Sequence, residues 1–214
     1  METQYVNLLF DSAFCKSVAA VKAYTCLDAV RLANLWNMVQ LAGPGTFLEV
    51  GSFRGGTALH ICNAIDTWHS GERFFSFDPF EMGGFEGMVK CDRAFKPMDF
   101  TNTRYADVAQ LLSGKPQATV VQGFFPAAAA EHDLKDIAFC HLDVDIYEAT
   151  RQSLAYLAPR LSAQGLIVVD DFGHMETPGV EQATREFVEQ NPEFLLIPMF
   201  PCQALLLPRS FGRS

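Results

Sequence analysis

Four aspartates close two apolar runs in this chain of 214 residues. Asp143 and Asp145 stand in His141-Leu142-Asp143-Val144-Asp145, after the run 137–140. Asp170 and Asp171 follow the run 165–169. The two groups lie about one βαβ unit apart. A carboxylate at the end of a buried strand needs a partner, and several together favour a hard divalent cation such as Mg2+. That chemistry suits an enzyme that activates an oxygen. Each group also has a plain structural reading. Asp145 could cap the next helix, and Asp170-Asp171 could form a turn.

A second constellation lies upstream. Glu49-Val50-Gly51-Ser52-Phe53-Arg54-Gly55-Gly56-Thr57 reads as a strand end, a glycine-rich turn and a helix start. Glycines there let backbone approach a ligand closely. The spacing is not the dinucleotide GxGxxG, and no Gly-Lys-Ser/Thr follows to make a phosphate loop. Glu49 would repel a pyrophosphate and suits an ammonium or sulfonium group instead. Asp78 ends the next apolar run and is placed to accept both hydroxyls of a ribose. A ligand with a ribose and a cationic amino-acid part fits the pair, and S-adenosylmethionine is such a ligand. The expected cofactor set is Glu49, Gly51, Ser52 and Asp78, together with Asp143 and with Gly123 beside the adenosine, where a simple turn is the alternative. A glycine-rich turn without a ligand is the plain alternative.

These residues need a scaffold that brings strand ends together. Residues 1–15 give no assignment. Thr25 could cap a helix running to about residue 42, stopped by Gly43-Pro44-Gly45. Strands are expected at 46–50, 73–77, 118–121, 137–142 and 166–169. Helices are expected at 56–68, 103–112, 126–134, 148–161 and 178–190. The alternation implies a parallel sheet covered on both faces. Two last strands, 194–197 and 204–207, fit an antiparallel hairpin at one edge. Ligands in such sheets bind at the carboxyl ends of the strands, where Glu49, Asp78, Asp143 and Asp170 all fall. Residues 80–101, broken by glycines and rich in phenylalanine, read as a lid or binding loop.

Bulk properties exclude some partners. The formal net charge is −9, so a nucleic-acid or anionic-membrane surface is not expected. No run reaches the roughly 18 apolar residues of a membrane span. The start of the chain lacks a signal-peptide layout, so a cytoplasmic protein is expected. The six cysteines show no CxxC pair and read as small buried hydrophobes. His141 reads as a hydrogen-bonded core histidine. His174 reads as a substrate contact or a solvated loop residue. Arg54 reads as a surface residue or a carboxylate partner, and Trp36 and Tyr147 as packing.

Together, Leu48-Glu49-Val50-Gly51-Ser52-Phe53-Arg54-Gly55-Gly56, Phe77-Asp78-Pro79-Phe80, Gly123-Phe124-Phe125-Pro126, the Asp143/Asp145 segment and Val168-Val169-Asp170-Asp171-Phe172 resemble the macrocin O-methyltransferase family. Its members are Mg2+-dependent sugar O-methyltransferases. The resemblance spans about residues 45 to 190. It implies a Rossmann-like class I methyltransferase fold, with a mostly parallel seven-stranded sheet and an antiparallel C-terminal hairpin. It implies one domain over 1–214, with an N-terminal helical region 1–44 and a core 45–208. It implies S-adenosylmethionine and Mg2+, or another divalent cation, as cofactors, and a small-molecule acceptor, a sugar or glycoside or another vicinal diol or catechol. The metal ligands would be Asp143, Asp170 and Asp171, with Asp143 or Asp145 as general base, and the protein could be a homo-oligomer. Two other readings compete: a glycosyltransferase using Asp143-Val144-Asp145 as its DxD, and a binding domain that kept the fold without catalysis.

Overall fold

A computed structural model describes residues 11–83, 87–94 and 102–212. The strands are β1 (Thr46–Val50), β2 (Phe74–Asp78), β3 (Ala118–Gln122), β4 (Ile137–Leu142), β5 (Leu161–Asp170), β6 (Phe194–Met199) and β7 (Gln203–Pro208). They form one sheet in the order β3-β2-β1-β4-β5-β7-β6. The first five run parallel, and β7 enters antiparallel between β5 and β6. The helices are α1 (Ser12–Val21), α2 (Ala29–Leu41), α3 (Gly56–Trp68), α4 (Tyr105–Leu111), α5 (Tyr147–Leu157) and α6 (Pro178–Gln190).

Strand alternation divides the core into two layers. Phe47, Phe139 and Val168 pack with Trp36, Ile61 and Ile65 under α1, α2 and α3. Leu48, Cys140 and Ile167 pack with Leu154, Leu157 and Val180 under α5 and α6. Side chains two apart on a strand share a face. Glu49 therefore follows Phe47, His141 follows Phe139 and Asp170 follows Val168 onto the α1–α3 face. The register sets Glu49 beside His141, and His141 beside Val168. Three ionisable groups thus share the floor of one layer.

Several elements depart from expectation. α1 was not expected. Asp11 caps it by accepting from Ala13 and Phe14 N–H at 2.8 and 3.1 Å. α2 is capped by Asp28, not Thr25; Asp28 Oδ1 accepts from Val30 and Arg31 N–H at 2.8 and 3.0 Å. Thr25 Oγ1 instead meets Thr57 Oγ1 at 2.9 Å, tying the α1–α2 connection to α3. The segment 126–134 forms only a 3-10 turn, Ala127–Glu131. Four alanines favour helix, but so short a stretch before β4 cannot offset helix nucleation. Cys62 and Cys140 are buried as expected, whereas Cys15 and Cys26 are exposed.

Part of the segment 80–101 is ordered against the body. Asp92, fully buried, accepts from Val89 N–H at 2.8 Å and from Tyr147 N–H at 2.9 Å, capping α5 from a distance. Phe85, Phe95, Phe100 and Pro97 lie outside the described residues, and the lid expectation rests on them. Among the described residues no helix is long and apolar enough to cross a membrane.

His60 joins the three helices of one layer. Its Nε2 donates to Leu32 O at 3.0 Å, which leaves Nδ1 to accept from Ser17 Oγ at 2.8 Å. That tautomer is satisfied only while the ring is neutral, and burial holds its pKa down at about 4 despite the Leu32 carbonyl. Between about pH 6.5 and 4 the unfolded chain takes a proton that the folded chain refuses, so stability falls as pH falls. The expected contribution is about 1.4 kcal/mol per pH unit over that window. His60→Gln should flatten the slope, read by urea unfolding at steps across it. An unchanged slope would contradict the neutral buried ring.

Candidate active site

The turn after β1 is held from two sides. Gly51 sits at φ 94°, and a Cβ there would come within 1.7 Å of Asp143 O, so the β1 and β4 ends approach more closely than any side chain permits. Gly51 N–H donates to Phe77 O and Asp143 N–H to Val50 O, both at 2.8 Å. Asp78 closes the turn. Its Oδ2 accepts from Ser52 and Phe53 N–H at 2.8 and 2.9 Å, and its Oδ1 from Phe80 N–H at 2.6 Å. Burial raises the Asp78 pKa, against the pull of those three donors. Asp78 lines the pocket, and Oδ1, with a single donor, keeps one lone-pair site unused.

Gly56 brings in the opposite wall. A Cβ there would lie 2.5 Å from Tyr24 C, and Gly56 N–H donates to Tyr24 O at 3.2 Å. The α1–α2 connection therefore seats directly on the start of α3 and roofs the strand ends.

Beneath the pocket runs a buried chain of charge. His141 Nδ1 lies 3.5 Å from Glu49 Oε1, and Nε2 lies 3.7 Å from Asp170 Oδ1. All three side chains are buried. At these distances the contacts are ion pairs rather than hydrogen bonds. Burial opposes a charged ring, but Asp170 and Glu49 outweigh it and hold the His141 pKa at about 10. Hydrogen-bond capacity at both ring nitrogens stays unused. The histidine is thus a counter-ion between carboxylates, not the hydrogen-bonded core residue expected. Glu49 is also held by Ser76 Oγ, which donates to Oε2 at 2.9 Å and lies 2.8 Å from Ser52 Oγ. Glu49 does not line the pocket; it lies below it.

Asp170 carries most of the pairing. Gln203, its cross-strand neighbour on β7, donates Nε2–H to Oδ1 at 2.6 Å. Arg31 Nη1 donates to Oδ2 at 2.6 Å and to Asp171 Oδ1 at 3.3 Å. Burial would raise the Asp170 pKa, but His141 and Arg31 bring it below the ordinary value. Asp143 and Asp145 are driven the other way. Burial, then Asp170 and Asp145, push the Asp143 pKa well up; burial and Asp171 do the same to Asp145. Asp171 is raised by burial and Asp170. Asp145 and Asp171 adopt the left-handed region, at φ 61° and 57°, which aspartate visits more readily than most residues.

Among the described residues, two groups of three have ligand atoms within 4.8 Å of one another: His141, Asp143 and Asp170, and Asp143, Asp145 and Asp171, so the expected trio Asp143, Asp170 and Asp171 is divided between them. The all-carboxylate group is a donor set for a hard cation. These residues open into a cavity of about 510 Å3 at the carboxyl ends of the strands. Gly51, Ser52, Asp78, Gly123, Asp143, Asp145, Asp170 and Asp171 all line it, as does His174. Arg31 and Gln203 were not singled out from sequence. An arginine on an amphipathic helix reads as a solvated face, and the partner strand is 139 residues away.

A sheet of this order, with an antiparallel seventh strand, a glycine-rich turn after β1 and an acidic residue closing β2, defines a class I methyltransferase. The fold of the O-methyltransferase NovP is similar, at a TM-score of 0.74 and 20% identity over 86% of this chain and 82% of that one. The macrocin-O-methyltransferase (TylF) family model matches residues 19–193. The chain belongs to that family and is an S-adenosylmethionine-dependent O-methyltransferase. It is 24% identical to mycinamicin III 3''-O-methyltransferase of Micromonospora griseorubida, over 88% of this chain and 82% of that protein. It is 28% identical to 8-demethyl-8-(2,3-dimethoxy-alpha-L-rhamnosyl)-tetracenomycin-C 4'-O-methyltransferase of Streptomyces olivaceus, over 70% of this chain and 63% of that one.

Proposed function

We propose that this enzyme methylates a hydroxyl of a sugar or glycoside, with a divalent cation held by Asp143, Asp170 and Asp171. The observation that carries the reading is geometric: Asp143 has ligand atoms within 4.8 Å of Asp170 in one group and of Asp145 and Asp171 in another, so the four carboxylates converge on Asp143. A bound Mg2+ supplies Lewis acidity there, lowering the pKa of an acceptor hydroxyl that a carboxylate alone deprotonates poorly. A relative whose name specifies a rhamnosyl group supports a sugar acceptor. Residues 1–214 are read as a single methyltransferase domain.

The chain's own groups divide the work. Gly51 and Ser52 let the cofactor approach the turn, and Asp78 accepts from its ribose with the lone pair left over. Gly123 gives room beside the adenosine. Glu49 supports the turn from beneath, through Ser76 to Ser52. Asp143 and Asp145 stand where an acceptor proton can be taken, Asp145 as the base when Asp143 is engaged by the cation. The α1–α2 connection excludes water from the strand ends, and holding donor and acceptor together supplies much of the remaining acceleration.

A thermal-shift titration tests the cofactor half. S-adenosylmethionine or its demethylated product should stabilise the protein, by about 2.7 kcal/mol at a hundredfold excess over Kd. Stabilisation by nucleotide-sugars alone would overturn the reading in favour of glycosyl transfer.

A further inference from the structure

Arg31 sits where the proposed cation needs access. Its Nη1 donates to Asp170 Oδ2 at 2.6 Å and to Asp171 Oδ1 at 3.3 Å, so one nitrogen bridges two of the three proposed ligands. The remaining donors hold the guanidinium in place. Nε–H reaches Asp28 Oδ2 at 3.3 Å, and Nη2–H reaches Cys26 O at 3.2 Å. Asp170 has little spare capacity, because Gln203 takes Oδ1 at 2.6 Å and His141 lies 3.7 Å from the same oxygen. Arg31 is anchored by the first turn of α2 and by the connection that walls the pocket. It is therefore a fixed positive charge presented by the protein to its own acidic cluster.

We infer that Arg31 is a built-in competitor of the divalent cation: it must release Asp170 and Asp171 for the cation to bind, so cation affinity is set by the seating of α2. The inference rests on the metal reading above. A cation and a guanidinium cannot bridge the same two oxygens, and two positive centres a few ångströms apart repel strongly in a partly buried site. Among the described residues no arginine or lysine forms a salt bridge with Asp143 or Asp145, so they are the side from which a cation would enter. Once released, the guanidinium stays tethered to Asp28 and the Cys26 carbonyl at the pocket wall. Cation loading would thus hand several N–H donors to the acceptor side. Arg31 acts through the ligands and is a positioning residue, not a catalytic one.

The sign of the effect separates competition from a merely structural role. Mn2+ is the probe, with free ion counted by electron paramagnetic resonance and no turnover required. Arg31→Gln should bind Mn2+ about tenfold or more tightly than the wild type, because a competing charge is gone. Arg31→Lys, which keeps the charge, should stay near the wild type. Weaker or unchanged binding in Arg31→Gln overturns the inference, since loss of a structural prop would loosen the site. Asp143→Asn identifies the site by losing Mn2+. If wild type and Arg31→Gln both fail to bind Mn2+, the metal reading falls and this inference with it. If the wild type binds and Arg31→Gln gains nothing, only the inference falls. Should Arg31→Gln not fold, the wild type decides: its Arg31 Nη resonances must shift at saturating Mg2+, because Nη1 leaves Asp170 and Asp171, and resonances that stay put overturn the competition.

Discussion

Asp143→Asn should lower methyl transfer by about a thousandfold, within the range for loss of a positioned proton-transfer or cation-binding group. Binding of the demethylated cofactor should stay within about threefold, because the exchange removes a charge and no backbone contact. The Asp143 N–H bond to Val50 O and the close approach of its carbonyl to Gly51 are made by main-chain atoms that asparagine keeps. Stability gives an independent check. Asp143 is crowded by Asp170 and Asp145 in a buried site that resists its ionisation. The neutral amide should leave the melting temperature unchanged or raise it. A large loss of stability would mean that Asp143 serves the fold. Retained turnover with retained stability would remove it from the chemistry.

Glu49→Gln should cost about 3 kcal/mol at neutral pH, the scale for stripping one partner from a buried ion pair. The change is nearly isosteric, so no cavity contributes. What is lost is one of the two carboxylates that keep a proton on His141. The sign with pH follows from the raised ring pKa. The contribution is complete below about pH 6.5 and is lost as pH rises through about 10. Urea unfolding of Glu49→Gln, His141→Gln and the double variant would measure the coupling directly. A cost under about 1 kcal/mol, or additive single effects, would mean that His141 is not charged in the fold.

Much of this was legible in the sequence because the runs are sharply punctuated. β1, α3, β4 and α6 have the expected bounds, each framed by glycine, proline or a polar break. The acidic residues were legible for a related reason. Carboxylates directly after fully apolar runs must lie at strand ends, and α/β connectivity brings parallel strand ends to one rim. Their partners were not. The face that Glu49 takes follows from the alternation begun at Phe47, but that His141 is its neighbour depends on β4 pairing with β1. Gln203 reaches Asp170 only because β7 slots against β5, with β6 outermost. Arg31 depends on how α2 crosses the sheet, which no local pattern encodes. α1 escaped notice because Ser12, Cys15, Lys16 and Ser17 dilute its apolar spacing; its cap, Asp11, becomes a signal only once Phe14, Ser17 and Val21 are known to be buried. β5 begins earlier than expected because Leu161 pairs with Ile137 of β4 before a break in register, while residues 161–164 stay half-exposed or exposed.

The account turns on a carboxylate cluster that works with a cation to activate a sugar hydroxyl. Transfer of an isotopically labelled methyl group from S-adenosylmethionine to a panel of glycosides with adjacent free hydroxyls tests that most directly. The reaction is run on metal-stripped protein, in chelator, and after Mg2+ is restored. The account predicts label in a glycoside product with Mg2+, background in chelator and recovery when Mg2+ is returned. Label transfer that proceeds undiminished in the stripped protein under chelator would contradict it.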